Sequence, residues 1–266
     1  MKNKKITIIG GGNLGQAIAK GIVNSNVIEA TNLTVTRRRI ELLKNLADLG
    51  IQTISDNIEA SKNADIIFLG VKPYQIEQII TEIKDSVTEN TIIVSLATGI
   101  DSHTIENYFG KKLPVFRAMP NTAVAIGQSM TCISAHNADK DQEEAVLTLF
   151  EQVGQALIIP EELMASATVL AACGIAFALR FIRAATQGGI EIGFGADLAL
   201  KIASQTVKGA ADLLINSETH PEHEIDKVTT PRGVTISGLN EMEHQGFSSS
   251  LIKGLLTSFN KIENGK

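Results

Sequence analysis

Residues 228–237, Val-Thr-Thr-Pro-Arg-Gly-Val-Thr-Ile-Ser, put three threonines, a proline and a glycine within eight positions and then continue into residues that can open a helix. Such a segment gathers hydroxyls and free backbone N–H groups at one spot, the chemistry that grips an anion or a polar acceptor. A second donor-rich place lies at the other end of the chain. In "ITIIGGGNLGQAIAKGI", Gly10, Gly12 and Gly15 fall between a strand-like and a helix-like run. The first glycine permits a tight turn, the second lets a phosphate approach the backbone, and the third lets helix and strand pack closely. Asn13 and Leu14 then begin a helix whose unpaired N–H groups and positive dipole end suit a pyrophosphate. A bare Gly-x-Gly-x-x-Gly is weak evidence, but placed after the first strand of an α/β chain it points to a dinucleotide.

The second strand sets the choice of dinucleotide. NAD sites of this kind carry an Asp or Glu about 20 residues further on, bound to the ribose 2′-hydroxyl. Here the tip reads Thr36-Arg37-Arg38-Arg39, with no acid. Guanidinium groups and a hydroxyl suit a 2′-phosphate, so NADP(H) is expected, with NAD(H) left open. Two strand exits should complete the crevice: Val71, Lys72 and Pro73 after one strand, Leu96, Ala97 and Thr98 after the next. Asn57 is assigned to the same cofactor set.

The elements that must position these residues follow from periodicity. Up to about residue 160, β-branched runs (5–10, 33–36, 64–70, 91–97, 114–119, 129–135) alternate with helix-length stretches such as 13–25, 38–49 and 74–84. Nearly continuous apolar strands between helices imply a parallel sheet covered on both faces, a doubly wound α/β domain of Rossmann type over 1–160. Beyond Pro160 the strand signals vanish. Helical patterns at 161–191, 196–216, 220–228, 232–244 and 247–262 predict an all-helical domain over 161–266. Helices this apolar should complete their burial against a second copy of the chain.

The chain has 266 residues, 44% of them hydrophobic, and a net charge of −5, enough length for a large core and no basic surface for nucleic acid. The basic start "MKNKKITIIG" lacks a cleavage-site pattern and reads as a first strand. Cys132 and Cys173 lie in apolar runs without paired spacing, so both are expected as buried hydrophobes in a reducing, cytoplasmic compartment. The uncharged run 163–179 is short for a membrane span and leads straight into Arg180 and Arg183; a buried helix at a subunit interface is expected there. His220 and His223 flank Glu222 in what reads as a solvated turn, and no metal is expected.

Over nearly its full length the chain resembles pyrroline-5-carboxylate reductases. The resemblance rests on "IIGGGNLGQAIAKG", "FLGVKP", "RAMPNTA" (117–123), "QTVKGAADLL" (205–214) and above all "DKVTTPRGVTISGLNEME" (226–243), which is far more specific than any dinucleotide motif. The chain departs from the family at Arg232, inside the usual Pro-Gly-Gly, at Ala123, where proline is usual, and at 170–176, where "LAACGIA" replaces Ser-Gly-Ser-Gly-Pro-Ala. The resemblance implies NADPH-dependent reduction of the cyclic imine 1-pyrroline-5-carboxylate to L-proline, the last step of proline biosynthesis. It also implies a homodimer or a ring of dimers, in which the signature loop of one subunit faces the nucleotide domain of the other. Thr235 becomes the catalytic residue, its hydroxyl on the ring nitrogen. Thr230 and the N–H groups of Gly233 and Val234 become a carboxylate cradle, with Glu218 as a further substrate contact. Asn121 reads as a loop organiser.

Two alternatives stand beside this expectation. A related NADP-dependent imine or hydroxy-acid reductase would typically need a lysine on the interface helix, and residues 161–191 contain none. A non-catalytic NADP-binding paralogue would have drifted at Arg232 and Ala123 while keeping Thr235.

Overall fold

The computed structural model describes residues 1–264. The chain divides into two compact units, the first of Met1–Cys173 together with residues 262–264 and the second of Gly174–Lys261.

The first unit is built on one eight-stranded sheet: β1 (Ile6–Ile9), β2 (Leu33–Thr36), β3 (Gln52–Ile54), β4 (Ile66–Leu69), β5 (Ile92–Ser95), β6 (Val115–Met119), β7 (Ser129–His136) and β8 (Gly154–Ile158). Its order is β3-β2-β1-β4-β5-β6-β7-β8. The helices of this unit are α1 (Asn13–Asn24), α2 (Lys44–Ala47), α3 (Asn57–Ser61), α4 (Ile76–Ile83), α5 (Ser102–Phe109), α6 (Lys140–Glu151) and α7 (Met164–Ala167). Successive strand residues point to opposite faces, and both faces here are apolar. Ile6, Ile8, Ile66, Phe68 and Val94 pack with Ile18 and Ile22 of α1 and Phe150 of α6. Ile9, Ile67, Leu69 and Ile93 pack with Ile76, Ile80 and Ile83 of α4 and Ile105 of α5. The Phe68 and Phe150 rings meet edge to face at 5.8 Å. Truncating so large a buried side chain costs about 3–5 kcal/mol.

Three features differ from the sequence reading. β3 and β8 were not anticipated, because both are edge strands of mixed exposure and carry no buried apolar run. The sheet is not wholly parallel, since β7 runs antiparallel to β6. Only residues 120–128 join them, too short a link for the crossover that a parallel pair requires. The stretch 38–49 is not one helix either, but a 3₁₀ turn (Ile40–Leu43) followed by α2.

The second unit consists of α8 (Gly174–Glu191), α9 (Ala196–Ser217), α10 (Pro221–Lys227), α11 (Val234–His244) and α12 (Phe247–Glu263) up to Lys261, the last two residues of α12 counting with the first unit. α8 ends a continuous 31-residue helix, Glu161–Glu191, which widens to π geometry over Thr168–Cys173. Its most apolar stretch has a mean hydropathy of 1.8 but is only 11% buried, so by length and composition it could cross a membrane. The expected burial is therefore absent within one chain: Leu170, Leu179, Phe181 and Ile190 are exposed. Cys132 is buried as expected, whereas Cys173, at the π segment, is only half-buried.

Candidate functional site

The carboxyl ends of β1, β2, β4 and β5 open on a single cleft of about 900 Å³. All fifteen residues expected to hold the cofactor line it: Gly10, Gly12, Asn13, Leu14 and Gly15 from the β1–α1 loop, Thr36, Arg37 and Arg38 after β2, Asn57 at α3, Val71, Lys72 and Pro73 after β4, and Leu96, Ala97 and Thr98 after β5. Gly11, Gly70 and Gln75 line it too and were not anticipated, and Arg39, read as part of the basic β2 tip but not assigned to the cofactor set, joins them. Their signal was weak, because each adjoins an expected residue or lies within one helical turn of it.

Close packing shapes the glycine loop. Gly10 has φ +112°, and a Cβ there would stand 2.5 Å from the Gly70 carbonyl oxygen; at Gly15 it would stand 2.3 Å from that of Gly10. Around Gly12 the space is open, with no atom within 4 Å of an added Cβ, so a bound group can approach the backbone. The first intrahelical bond of α1 runs from Gln16 N–H to Gly12 at 2.9 Å. The N–H groups of Asn13, Leu14 and Gly15 precede it and present the positive helix end to the cleft. These are the features a dinucleotide's phosphates need, and the residues present fit it.

The tip of β2 is tied to the same loop. Gly11 N–H donates to the Thr36 carbonyl at 2.8 Å, and Arg37 Nη1 donates to the Gly11 carbonyl at 3.0 Å. The Thr36 side chain departs from the expectation that its hydroxyl meets phosphate. It is buried and donates to Asn57 Oδ1 at 2.7 Å, which leaves Arg37, Arg38 and Arg39 as the cationic groups on this wall.

A buried ion pair lies beyond Thr98. Arg117 of β6, 8% exposed, contacts Glu161 at 3.0 Å, and Glu161 also accepts Ser102 N–H at 2.8 Å. Burial pushes the Glu161 carboxyl up, but hydrogen bonds from Ser102 and Arg117 and the Arg117 charge outweigh it and hold the group below the usual range. Asn121 organises its loop as expected: its side chain accepts Ala123 N–H at 3.0 Å and donates to the Ala171 carbonyl in the π segment at 3.4 Å.

In the second unit the signature segment forms a tight turn between α10 and α11. Thr229 is engaged with Asp226, its hydroxyl donating to that carbonyl at 3.1 Å. Thr230-Pro231-Arg232-Gly233 is a type II turn, closed by Gly233 N–H to Thr230 O at 2.8 Å. The third turn position requires a positive φ, and Arg232 supplies it at +60°. Gly233 caps α11 with extended backbone, so Val234 and Thr235 fall in the first turn, where helical N–H groups have no intrahelical acceptor. The hydroxyls of Thr230 and Thr235 engage no other group among the described residues, and both residues are exposed. The turn thus brings together Thr230, Gly233, Val234 and Thr235. Glu218 is the left-handed cap that ends α9, φ +52°.

A glycine loop beneath a helix N-terminus, on the doubly wound sheet, with arginines at the second strand, defines a nicotinamide-dinucleotide oxidoreductase. A family model described as "NADP oxidoreductase coenzyme F420-dependent" matches residues 5–99, and one described as "Pyrroline-5-carboxylate reductase dimerisation" matches residues 161–264. The chain belongs to the pyrroline-5-carboxylate reductase family. It is 44% identical to pyrroline-5-carboxylate reductase 2 of Dictyostelium discoideum, over 97% of this chain and 92% of that protein. It is 45% identical to pyrroline-5-carboxylate reductase 1 of the same organism over 96% of this chain, spanning about half (49%) of that longer protein. Among solved structures, the NADP-bound pyrroline carboxylate reductase of Plasmodium falciparum superposes with a TM-score of 0.90 at 25% identity, over 99% of this chain and 98% of that one. The dimerisation match covers the helices whose apolar faces are exposed in the single chain, so the chain carries an oligomerisation domain.

Proposed function

We infer that this chain reduces 1-pyrroline-5-carboxylate to L-proline with NADPH. The observation that carries the inference is the 44% identity to a reductase of that name, across 92% of its length. Bound NADPH supplies a hydride from its nicotinamide ring. With that hydride the imine carbon would be reduced, and one proton at the ring nitrogen would turn C=N into CH–NH, leaving NADP⁺.

This chain's residues hold and orient. Gly10, Gly12 and Gly15, with the N–H groups of Asn13 and Leu14, seat the pyrophosphate. Arg37 and Arg38 take the 2′-phosphate, and Asn57 fixes Thr36 behind them. Val71, Lys72, Pro73, Leu96, Ala97 and Thr98 wall the rest of the cleft. In the signature turn, Thr230 and the N–H groups of Gly233 and Val234 hold the substrate carboxylate. The Thr235 hydroxyl hydrogen-bonds the ring nitrogen. A threonine hydroxyl is too weak an acid to protonate it alone, so Thr235 relays a proton from water or steadies an imine already protonated. Glu218 completes the substrate set. Holding the reacting atoms together accounts for most of the rate gain.

Residues 1–160 serve the nucleotide and 161–266 the substrate and the subunit contact. The working form is a cytoplasmic homodimer or a ring of dimers; both cysteines are free thiols, and an apolar helix face this long calls for a partner surface.

The test is NADPH oxidation, followed by absorbance, with and without pyrroline-5-carboxylate and repeated with NADH. Substrate-dependent oxidation, faster with NADPH, is expected. Folded protein that binds NADPH yet oxidises none on adding the imine would overturn the inference.

A further inference from the structure

We propose that His103, Glu106 and His136 form a binding site for a divalent transition metal, with zinc(II) as the ion their chemistry fits best. One ligand atom from each residue lies within 4.8 Å of the other two. His136 Nε2 is 3.0 Å and His103 Nδ1 is 3.8 Å from the same carboxylate oxygen, Glu106 Oε2. Zinc bonds of about 2.0–2.1 Å in tetrahedral geometry set ligand atoms about 3.3 Å apart. The group therefore closes on an ion by a side-chain adjustment at His103, which is 73% exposed and free to turn.

The fold builds this arrangement from two elements. Asp101 caps α5 by accepting Thr104 N–H at 2.6 Å, which starts the helix so that His103 and Glu106 share one face, three residues apart. His136 ends β7 and pairs in register with Val115, the first residue of β6. The second oxygen of Glu106 is also engaged, accepting Asn137 Nδ2 at 2.6 Å. An outer hydrogen bond of that kind fixes the orientation of a ligating carboxylate.

Two imidazoles and one carboxylate select the ion. Calcium and magnesium require six or more oxygen ligands, whereas imidazole suits zinc, copper and nickel. A fourth position stays open to water on the exposed side. The cluster lies at the start of β6, whereas the nucleotide cleft opens at the carboxyl ends of the strands, so a metal here clamps α5 to β7 and takes no part in hydride transfer. The closely spaced pair His220 and His223 belongs to no such group of three ligand atoms among the described residues.

The test is zinc(II) titration calorimetry on tag-free protein stripped with chelator, with cobalt(II) absorption as a second probe. One equivalent per chain is expected, together with a higher melting temperature. His103→Ala, a surface change that leaves the fold intact, and His136→Gln should each weaken binding by about tenfold or more and remove the thermal shift. His220→Ala with His223→Ala should change neither. The proposal is overturned if the wild type shows no saturable uptake, if uptake survives both His103→Ala and His136→Gln, or if it is lost with His220 and His223 instead.

Discussion

Gly233 lies so close to Thr230 that a methyl group on it would meet Thr230 Oγ1 at 2.6 Å and the Thr230 carbonyl oxygen at 2.9 Å. The two residues are also hydrogen-bonded through the turn they close. Gly233→Ala should push Thr230 out of the cradle. We expect kcat/KM for the imine to fall by about 10²-fold, the scale of a misplaced positioning group. The melting temperature should fall modestly as well, because the methyl group meets the Thr230 backbone besides its side chain. Steady-state kinetics beside a thermal melt decide it, and unchanged kinetics would count against the cradle.

Arg232 occupies the left-handed region in that same turn, where a side chain costs about 1–2 kcal/mol and glycine costs nothing. Part of this is offset by the greater freedom glycine brings to the unfolded chain. Arg232→Gly should therefore stabilise the protein by up to about 1 kcal/mol, read as a higher urea midpoint at constant slope. A lower midpoint would mean that the guanidinium makes a contact worth more than the strain.

Arg37 and Arg38 stand where an NAD site keeps an acid. Replacing both with alanine removes charge-assisted bonds worth about 1.5–3 kcal/mol to a phosphate. The KM for NADPH should rise by about 10- to 100-fold, with that for NADH nearly unchanged. Equal losses with both coenzymes would assign the arginines to the loop alone, through the Arg37 bond to Gly11.

Arg117 and Glu161 join β6 to the start of the long helix. Glu161→Ala strands a buried guanidinium, and because Glu161 is itself 29% exposed the cost should sit near the low end for a broken buried pair, about 3 kcal/mol. The native carboxyl is held below its ordinary value. Its stabilisation is thus complete above the unfolded value of about 4.3 and is lost as pH falls through the lower folded one. Denaturant midpoints measured from neutral pH into that acid window should fall less steeply for Glu161→Gln than for the wild type.

Leu179 is exposed on α8 within the apolar stretch. Leu179→Asp should turn the oligomer toward monomer, seen by sedimentation across a dilution series. An unchanged assembly would place the subunit contact on another face.

The sequence alone determined the nucleotide half almost completely. The six inner strands, the glycine loop and the expected cleft residues other than Asn57 follow from local pattern, because backbone turns and buried strands in an α/β unit impose their residue types position by position. The helices beyond residue 160 were equally legible from their helical patterns and the glycines between them, although the π segment within 161–191 was not. Tertiary structure alone decided the rest. It added β3 and β8, edge strands too exposed to carry an apolar signature. It turned the Thr36 hydroxyl inward to Asn57 and set Arg232 in a glycine's conformation. It brought His136 beside His103 and Glu106, the latter thirty residues away in sequence, through the antiparallel register of β7 on β6. Sequence spacing encodes what one element does by itself, whereas partners brought together by strand register and side-chain packing exist only once the chain has closed on itself.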